Sequence, residues 1–228
     1  MSQTAVVSRL ALRELWISFR LLFLLAAYVG AGTTVALLPA PLATTLFRLA
    51  AGVAVAAVAG AAVAAWSLSR ERSLGRAAWL ATHSIPRMTI LIGWFVPVAA
   101  ASLVGLLAAG ILGWLAISAS FEGPDPLVFT AVIGAVGAQL LVLLALGLLL
   151  GAFLAPWPAA LATVVTCGLL VVTPWAAAPG VALPFEALAR LLELVHPIAV
   201  AVQGAGASLA ASALLLLAAR VALERVDL

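Results

Sequence analysis

Two long stretches without a charged residue constrain this chain more than any other feature of its sequence. One runs from Met88 to Phe121 and the other from Pro126 to Phe185. A helix needs roughly 20 apolar residues to cross a bilayer core about 30 Å thick, so the second stretch alone is long enough for two crossings. Charged residues make up only 8% of the chain, against about 25% in an average soluble domain. These features predict an all-α integral membrane protein.

Prolines and charges divide the chain into six predicted spans. Proline removes a helix donor, so Pro39 and Pro41 end the first span, and 155–158 separates the fourth from the fifth. An acidic turn at 121–126 follows the third. The uncharged run of the third span is about 50 Å long as a helix, so we expect a tilt, a projection or a kink at Pro97. The spans are 21–38, 49–69, 88–118, 127–154, 159–178 and 198–219.

The N-terminal segment 4–20 has the pattern of a helix that lies on a membrane surface. Arg9, Arg13 and Arg20 fall within about 40° of one another on a helix. Four apolar residues lie roughly opposite: Val7, Ala11, Leu15 and Phe19. This pattern predicts an interfacial helix on the cytoplasmic leaflet. The alternative is a positively charged tail that only sets the orientation of the chain.

The arginines are distributed unequally between the two sides of the predicted membrane domain. Six spans place both termini on one side, together with residues 70–87. Nine arginines lie on that side: Arg9, Arg13, Arg20, Arg70, Arg72, Arg76, Arg87, Arg220 and Arg225. Only Arg48 and Arg190 lie on the other. By the positive-inside rule, the termini and the 70–87 loop are cytoplasmic and the protein lies in the cytoplasmic membrane.

The segment 179–197 then lies on the outer side, where it predicts a short helix. Pro184 begins this helix and Pro197 closes it. Its apolar face comprises Phe185, Leu188, Leu191, Leu192 and Val195. Glu186, Arg190 and Glu193 are spaced to interact on another face.

Residues that could carry chemistry are scarce. The predicted spans contain no ionisable residue, and no metalloprotease, Ser–His or nucleotide-binding motif occurs, which disfavours an intramembrane enzyme or a proton-coupled carrier. The single Cys167 excludes an intrachain disulfide and a cysteine-based metal cage. The net charge of +3 comes from arginines placed as topology signals, so we expect no nucleic acid partner. Gln139 and Gln203 are candidates for a substrate path, although packing between helices is the alternative.

An arginine-rich stretch, RERSLGRAAWLATHSIPRMTILIG, occupies residues 70–93. It resembles the cytoplasmic loop in permeases of type-2 ABC exporters, where the pattern is Glu-Arg-x-x-Gly-Thr, a leucine-rich turn, Pro-x-x-Arg and an apolar run with Gly-Lys. Six residues match without gaps: Glu71, Arg72, Gly75, Leu80, Arg87 and Gly93. Arg76, Ser84 and Trp94 stand where the family has Thr, Pro and Lys.

The resemblance implies a fold and a function. The fold has an N-terminal interfacial helix, six spans, a cytoplasmic coupling helix after the second span and a short re-entrant segment on the outer side, here 179–197. The implied function is that of a permease subunit, itself not an enzyme and without a cofactor of its own. Separate ABC ATPase subunits would carry ATP and Mg, and a second permease copy, identical or different, would complete the transporter. An apolar pathway suits an amphipathic or hydrophobic substrate.

The same resemblance assigns roles within residues 70–87. Arg70, Arg72 and Arg76 would meet an acidic rim on the ATPase, and Ala77, Trp79 and Leu80 would form an apolar anchor. Glu71, Gly75 and Arg87 complete the predicted partner-binding set. Alternatively, the arginines only hold the loop at anionic headgroups. Two alternatives to a general exporter are a haem-exporter-like subunit of cytochrome c maturation, and a membrane scaffold or assembly factor that transports nothing.

Overall fold

The computed structural model describes residues 3–38, 40–75, 85–121, 124–172, 184–194 and 196–225, and all regular structure within them is helical. The helices are α1 (Gln3–Ile17), α2 (Arg20–Leu37), α3 (Leu42–Ser73), α4 (Arg87–Ser120), α5 (Pro126–Phe153), α6 (Pro156–Val172), α7 (Pro184–Ala189) and α8 (Pro197–Arg225), with a 3₁₀ turn at Leu191–Glu193. Helices α3, α4, α5 and α8 are long and apolar enough to cross a membrane. A fifth crossing results if α1 and α2 form one bent span. This is the architecture of an all-α, multi-pass membrane protein.

The second, third, fourth and sixth predicted spans each overlap one of the four long helices, although α3 begins at Leu42 instead of 49 and α8 continues to Arg225 instead of 219. The first corresponds to α2, of 18 residues, and the described part of the fifth, 159–172, lies within α6. The predicted fifth span 159–178 continues past Val172, outside the described residues. The six-span layout therefore stays a prediction.

Helix α3 extends into the segment 70–87, which the sequence predicted as a loop. Helix α3 continues to Ser73, so Arg70, Glu71 and Arg72 form its last turn. Helix α4 begins at Arg87, directly after Pro86. This boundary has a physical reason, because proline fits the start of a helix and biases the residue before it away from helical geometry. Helix α4 then runs for 34 residues and includes Pro97.

A sharp elbow separates α1 from α2. The two helices meet at 72°, and Phe19 between them has a φ of 57°, in the left-handed region. Val7, Ala11 and Leu15 are buried, and α1 packs against α4. The expected apolar face of the N-terminal helix is thus formed, but it contacts protein. Phe19 does not belong to that face, because it lies beyond the end of α1, in the elbow, where it is 71% exposed.

Small residues bring α3 and α5 into backbone contact. A side chain at Gly151 would place its Cβ 2.5 Å from the carbonyl oxygen of Ala65, and a Cβ at Gly147 would overlap the carbonyl oxygen of Ala61. Small residues at four-residue spacing permit such close approach. The Gly147–Gly151 pair is therefore part of a seam between two helices of the same chain.

Both ends of α5 are defined by local chemistry. The carboxylate of Asp125 accepts a 2.7 Å hydrogen bond from the backbone N–H of Leu127, and Pro126 occupies the first helical position. This is the usual way to satisfy free N–H groups at a helix start. At the other end, α5 stops at Phe153 and α6 begins at Pro156, as the proline-rich break predicts.

Candidate functional site

The last turn of α3 directs three consecutive charged residues in three directions. Arg70 is exposed, Glu71 is buried and Arg72 is half-buried. Successive residues of a helix are 100° apart, which explains this divergence. The helix ends at Ser73, and Gly75 follows with a φ of 71°, the left-handed conformation in which helices commonly terminate. The match at Gly75 thus has a conformational reason.

Glu71 lies on the face of α3 that approaches the elbow. Ser67, one turn earlier on the same face, is 1% exposed and accepts a 3.1 Å hydrogen bond from the guanidinium of Arg20. Glu71 is only 7% exposed. The carboxylates of Glu14 and Glu71 attract the Arg20 guanidinium, while Arg70 repels it. Arg20 therefore lies near acidic residues of both α1 and α3, beside the elbow between α1 and α2.

Arg72 lies on the opposite side of α3, against the end of α5. Its Nη1 donates to the carbonyl oxygens of Gly151, at 3.3 Å, and of Ala152. The hydroxyl of Ser69 donates to the carbonyl oxygen of Leu154 at 2.5 Å. The last carbonyls of a helix have no partner within the helix, and a cation there is also favoured by the helix dipole. Arg72 and Ser69 therefore cap α5 from a neighbouring helix.

The remaining predicted partner-binding residues are placed as follows. Arg70 faces solvent, and Arg87 is the first residue of α4 and is partly exposed. Arg76, Ala77, Trp79 and Leu80 lie outside the described residues, so the coupling helix stays a prediction. Gly93 contacts Val7 of α1 so closely that a Cβ would overlap the valine side chain. This contact gives the Gly93 match a packing role.

The two glutamines have different environments. Gln139 lies half-way along α5, about 20 Å from either end. It is 7% exposed, and its Oε1 accepts a 3.0 Å hydrogen bond from the backbone N–H of Phe185 in α7. This contact places α7 at the mid-height of α5. Gln203 is exposed and lines an open groove of about 670 Å³ with His196 and Val202.

The described part of the predicted segment 179–197 is partly buried. Phe185, Leu188 and Leu191 belong to the core, as expected from their shared face, whereas Leu192, in the 3₁₀ turn that follows α7, is 54% exposed. The expected pairing of Glu186 with Arg190 is present at 3.6 Å. Val195 lies outside the described residues. A helix end buried this deeply needs polar partners, and Gln139 supplies one of them.

The described residues offer no cluster of three or more histidine, cysteine or acidic side chains suited to a metal ion. Cys167 is buried.

Sequence reasoning also overlooked three residues of the site, Arg20, Ser67 and Ser69. The available signal was spacing, since Ser67 and Glu71 are four residues apart and Ser69 and Arg72 three, which places each pair on one helix face.

The chain was also compared with known proteins. No protein-family model matches the sequence, and no curated protein matches it significantly. The resemblance of residues 71–93 to type-2 ABC exporter permeases therefore stays a prediction from the sequence pattern.

Proposed function

We propose that this chain is the transmembrane subunit of an ATP-driven ABC exporter. It moves an amphipathic or hydrophobic substrate while separate ATPase subunits bind ATP with Mg²⁺ and hydrolyse it. The observation that supports this most is the placement of the 71–93 pattern at the end of a long buried helix. Arg70 is exposed there, while Ser67 and Arg72 are bonded to α2 and α5. A segment that follows a helix held in place by its neighbours is suited to receive force from a separate protein and pass it to the other helices.

The mechanism is a transfer of displacement from the ATPase to the helices. Residues 70–87 dock in a groove of the ATPase on the cytoplasmic side, with Arg70 and Arg76 near acidic residues and Trp79 and Leu80 as the apolar anchor. Closure of the ATPase dimer on ATP moves the docked segment, and the packed helices move with it as rigid bodies. ATP shifts the equilibrium only as far as the two states differ in affinity for it.

The substrate class follows from the character of the helices. In the described parts of α2 to α6 and α8, charged residues lie within about two turns of a helix end. An ion or a highly charged solute would find few partners between such helices. An amphipathic molecule fits better, and Gln203 in its open groove provides a polar group at one position on the surface. A second permease copy completes the pathway.

The test is purification of the chain together with the ATPase subunit encoded nearest to it, followed by reconstitution in lipid vesicles. We expect a stable complex whose ATP hydrolysis depends on the membrane subunit. Arg70→Gln should weaken ATPase binding about fivefold or more, as expected for an interface arginine. Arg190→Gln is the matched control, because this arginine is also exposed but belongs to the outer segment.

Two outcomes would contradict the proposal. One is a wild-type chain that brings down no ATPase subunit. The other is a complex in which hydrolysis by the ATPase is the same with Trp79→Ala or Glu71→Gln as with the wild type. The second result would indicate a membrane scaffold without transport.

A further inference from the structure

We propose that Arg72 and Ser69 are positioning residues that attach the last turn of α3 to the end of α5, so that the two helices move as one body when the segment that follows Ser73 is displaced. This inference rests on the proposed function. It changes the role of Arg72, which the sequence resemblance places at the ATPase interface.

The hydrogen bonds of Arg72 are the first support. The guanidinium reaches the carbonyl oxygens of Gly151 and Ala152, which are among the last four of α5. Ser69 adds a bond to the carbonyl oxygen of Leu154, the residue that follows the helix. Three carbonyl groups at one helix end are therefore satisfied by two side chains of α3. Bonds from a charged donor are stronger than neutral ones.

The seam between the two helices is the second support. Ala61, Ala65, Ser69 and Arg72 follow one another at intervals of four, four and three residues, which is one stripe along α3. The first two contact Gly147 and Gly151 of α5 through the backbone, and the last two bond the end of the same helix. The seam thus continues without a gap from Gly147, in the last third of α5, to the end of that helix.

Backbone contact makes this seam resistant to sliding. A shift of one helix along the other by part of a turn would place side chains of α3 against the glycine positions of α5, where a Cβ already has no room. A force on the residues that follow Ser73 therefore displaces both helices together. Helix α5 also holds α7 through the Gln139 side chain, so the same body extends to the outer segment.

The first experiment measures how strongly Arg72 stabilises the end of α5. It uses the full-length chain in lipid nanodiscs, without any partner. Amide hydrogen exchange is followed at residues 150–154 in the wild type, Arg72→Gln, Arg72→Lys and Arg70→Gln. We expect about tenfold faster exchange in Arg72→Gln, since a bond from a charged donor contributes roughly the free energy of a tenfold change in local opening. Lysine keeps the charge and should restore most of the protection. Arg70→Gln should leave these amides unchanged.

The second experiment measures coupling in the complex with the ATPase. Arg72→Gln should bind the ATPase with an affinity within about twofold of the wild type, yet lose most of the ATP hydrolysis that depends on the membrane subunit, with recovery in Arg72→Lys. Arg70→Gln should show the reverse, with weaker binding. Ser69→Ala provides a milder second variant should Arg72→Gln fail to fold, and it should lower the coupled hydrolysis in the same direction.

The outcomes separate this inference from the proposed function. If the wild type binds the ATPase but Arg72→Gln leaves exchange at 150–154 unchanged, the attachment role is wrong and the proposed function stands. If Arg72→Gln weakens ATPase binding as strongly as Arg70→Gln, Arg72 is an interface residue instead. If the wild type binds no ATPase, the proposed function fails, and the coupling role fails with it.

Discussion

The guanidinium of Arg20, at the start of α2, donates a 3.1 Å hydrogen bond to the hydroxyl of Ser67, near the end of α3. Glu71 lies one turn further along α3 and attracts the same guanidinium. This contact ties the elbow after the N-terminal helix to the helix that begins the loop. It forms a second attachment of the loop base, on the side of α3 opposite to Arg72.

A double-mutant cycle tests this attachment. Arg20→Met and Glu71→Gln should each lower the free energy of unfolding by about 1–3 kcal/mol, because each leaves a charge with one partner fewer, and partial solvation of Arg20 limits the effect. The double variant should lose less than the sum of the two single losses. Unfolding in mixed SDS–detergent micelles measures all three values.

Arg9→Met is the control for that cycle, since Arg9 is exposed on α1. Its effect should stay within about 0.5 kcal/mol, as is usual at a surface position. Strictly additive losses from the Arg20 and Glu71 variants would show that the two side chains do not interact.

The glycine seam gives a prediction with a control in the same helix. Gly147→Ala introduces a Cβ that overlaps the carbonyl oxygen of Ala61, so the helices must move apart, at a cost of about 1–3 kcal/mol. Gly134→Ala meets no atom within 4 Å. Because alanine favours helix more than glycine does, this control should stabilise the protein by up to about 1 kcal/mol. Thermal unfolding in nanodiscs compares the two, and equal shifts would refute the seam.

The four long helices could be predicted because uncharged runs with polar or proline-rich ends leave few alternatives in a bilayer. The ends of the helices were harder to predict from the sequence. The charged side chains of Arg70, Glu71 and Arg72 favoured a loop, yet the structure continues the helix through them. Tertiary contacts explain why the helix continues. Arg72 donates to carbonyl groups at the end of α5, and Glu71 lies close to Arg20. Neither partner is adjacent in sequence, so no local pattern could reveal them.

The candidate site shows the same limit. Arg70 and Arg72 were both assigned to an external partner; Arg70 is exposed, whereas Arg72 makes its described bonds within the chain. Gln139 was named for its polarity alone, with substrate and packing both open. Its bond to the Phe185 backbone supports packing, and that bond depends on a fold-back of α7 across 46 residues. Helix periodicity relates only residues that are a few positions apart, so it cannot predict a contact over such a separation.

The bond between Gln139 and Phe185 provides a further prediction. Gln139→Leu keeps the approximate size of the side chain but leaves the N–H of Phe185 buried without its acceptor, so the free energy of unfolding should fall by about 1–3 kcal/mol. Amide exchange at Phe185 should accelerate at the same time. Gln203→Leu is the matched control, because Gln203 is exposed in its groove and the change should be nearly neutral. Equal effects at both positions would contradict a structural role for Gln139.

The orientation of the chain can be tested with two single cysteines in a Cys167→Ser background. Ser73 lies at the loop end of α3 and Phe121 just beyond the far end of α4, a helix about 50 Å long. If the arginine distribution sets a cytoplasmic loop, Phe121→Cys reacts with a membrane-impermeant maleimide in intact cells, and Ser73→Cys reacts only after permeabilisation. Both positions are exposed, so access depends on the side of the membrane and not on burial. The opposite labelling pattern would place the loop outside the cell, beyond the reach of any ATPase.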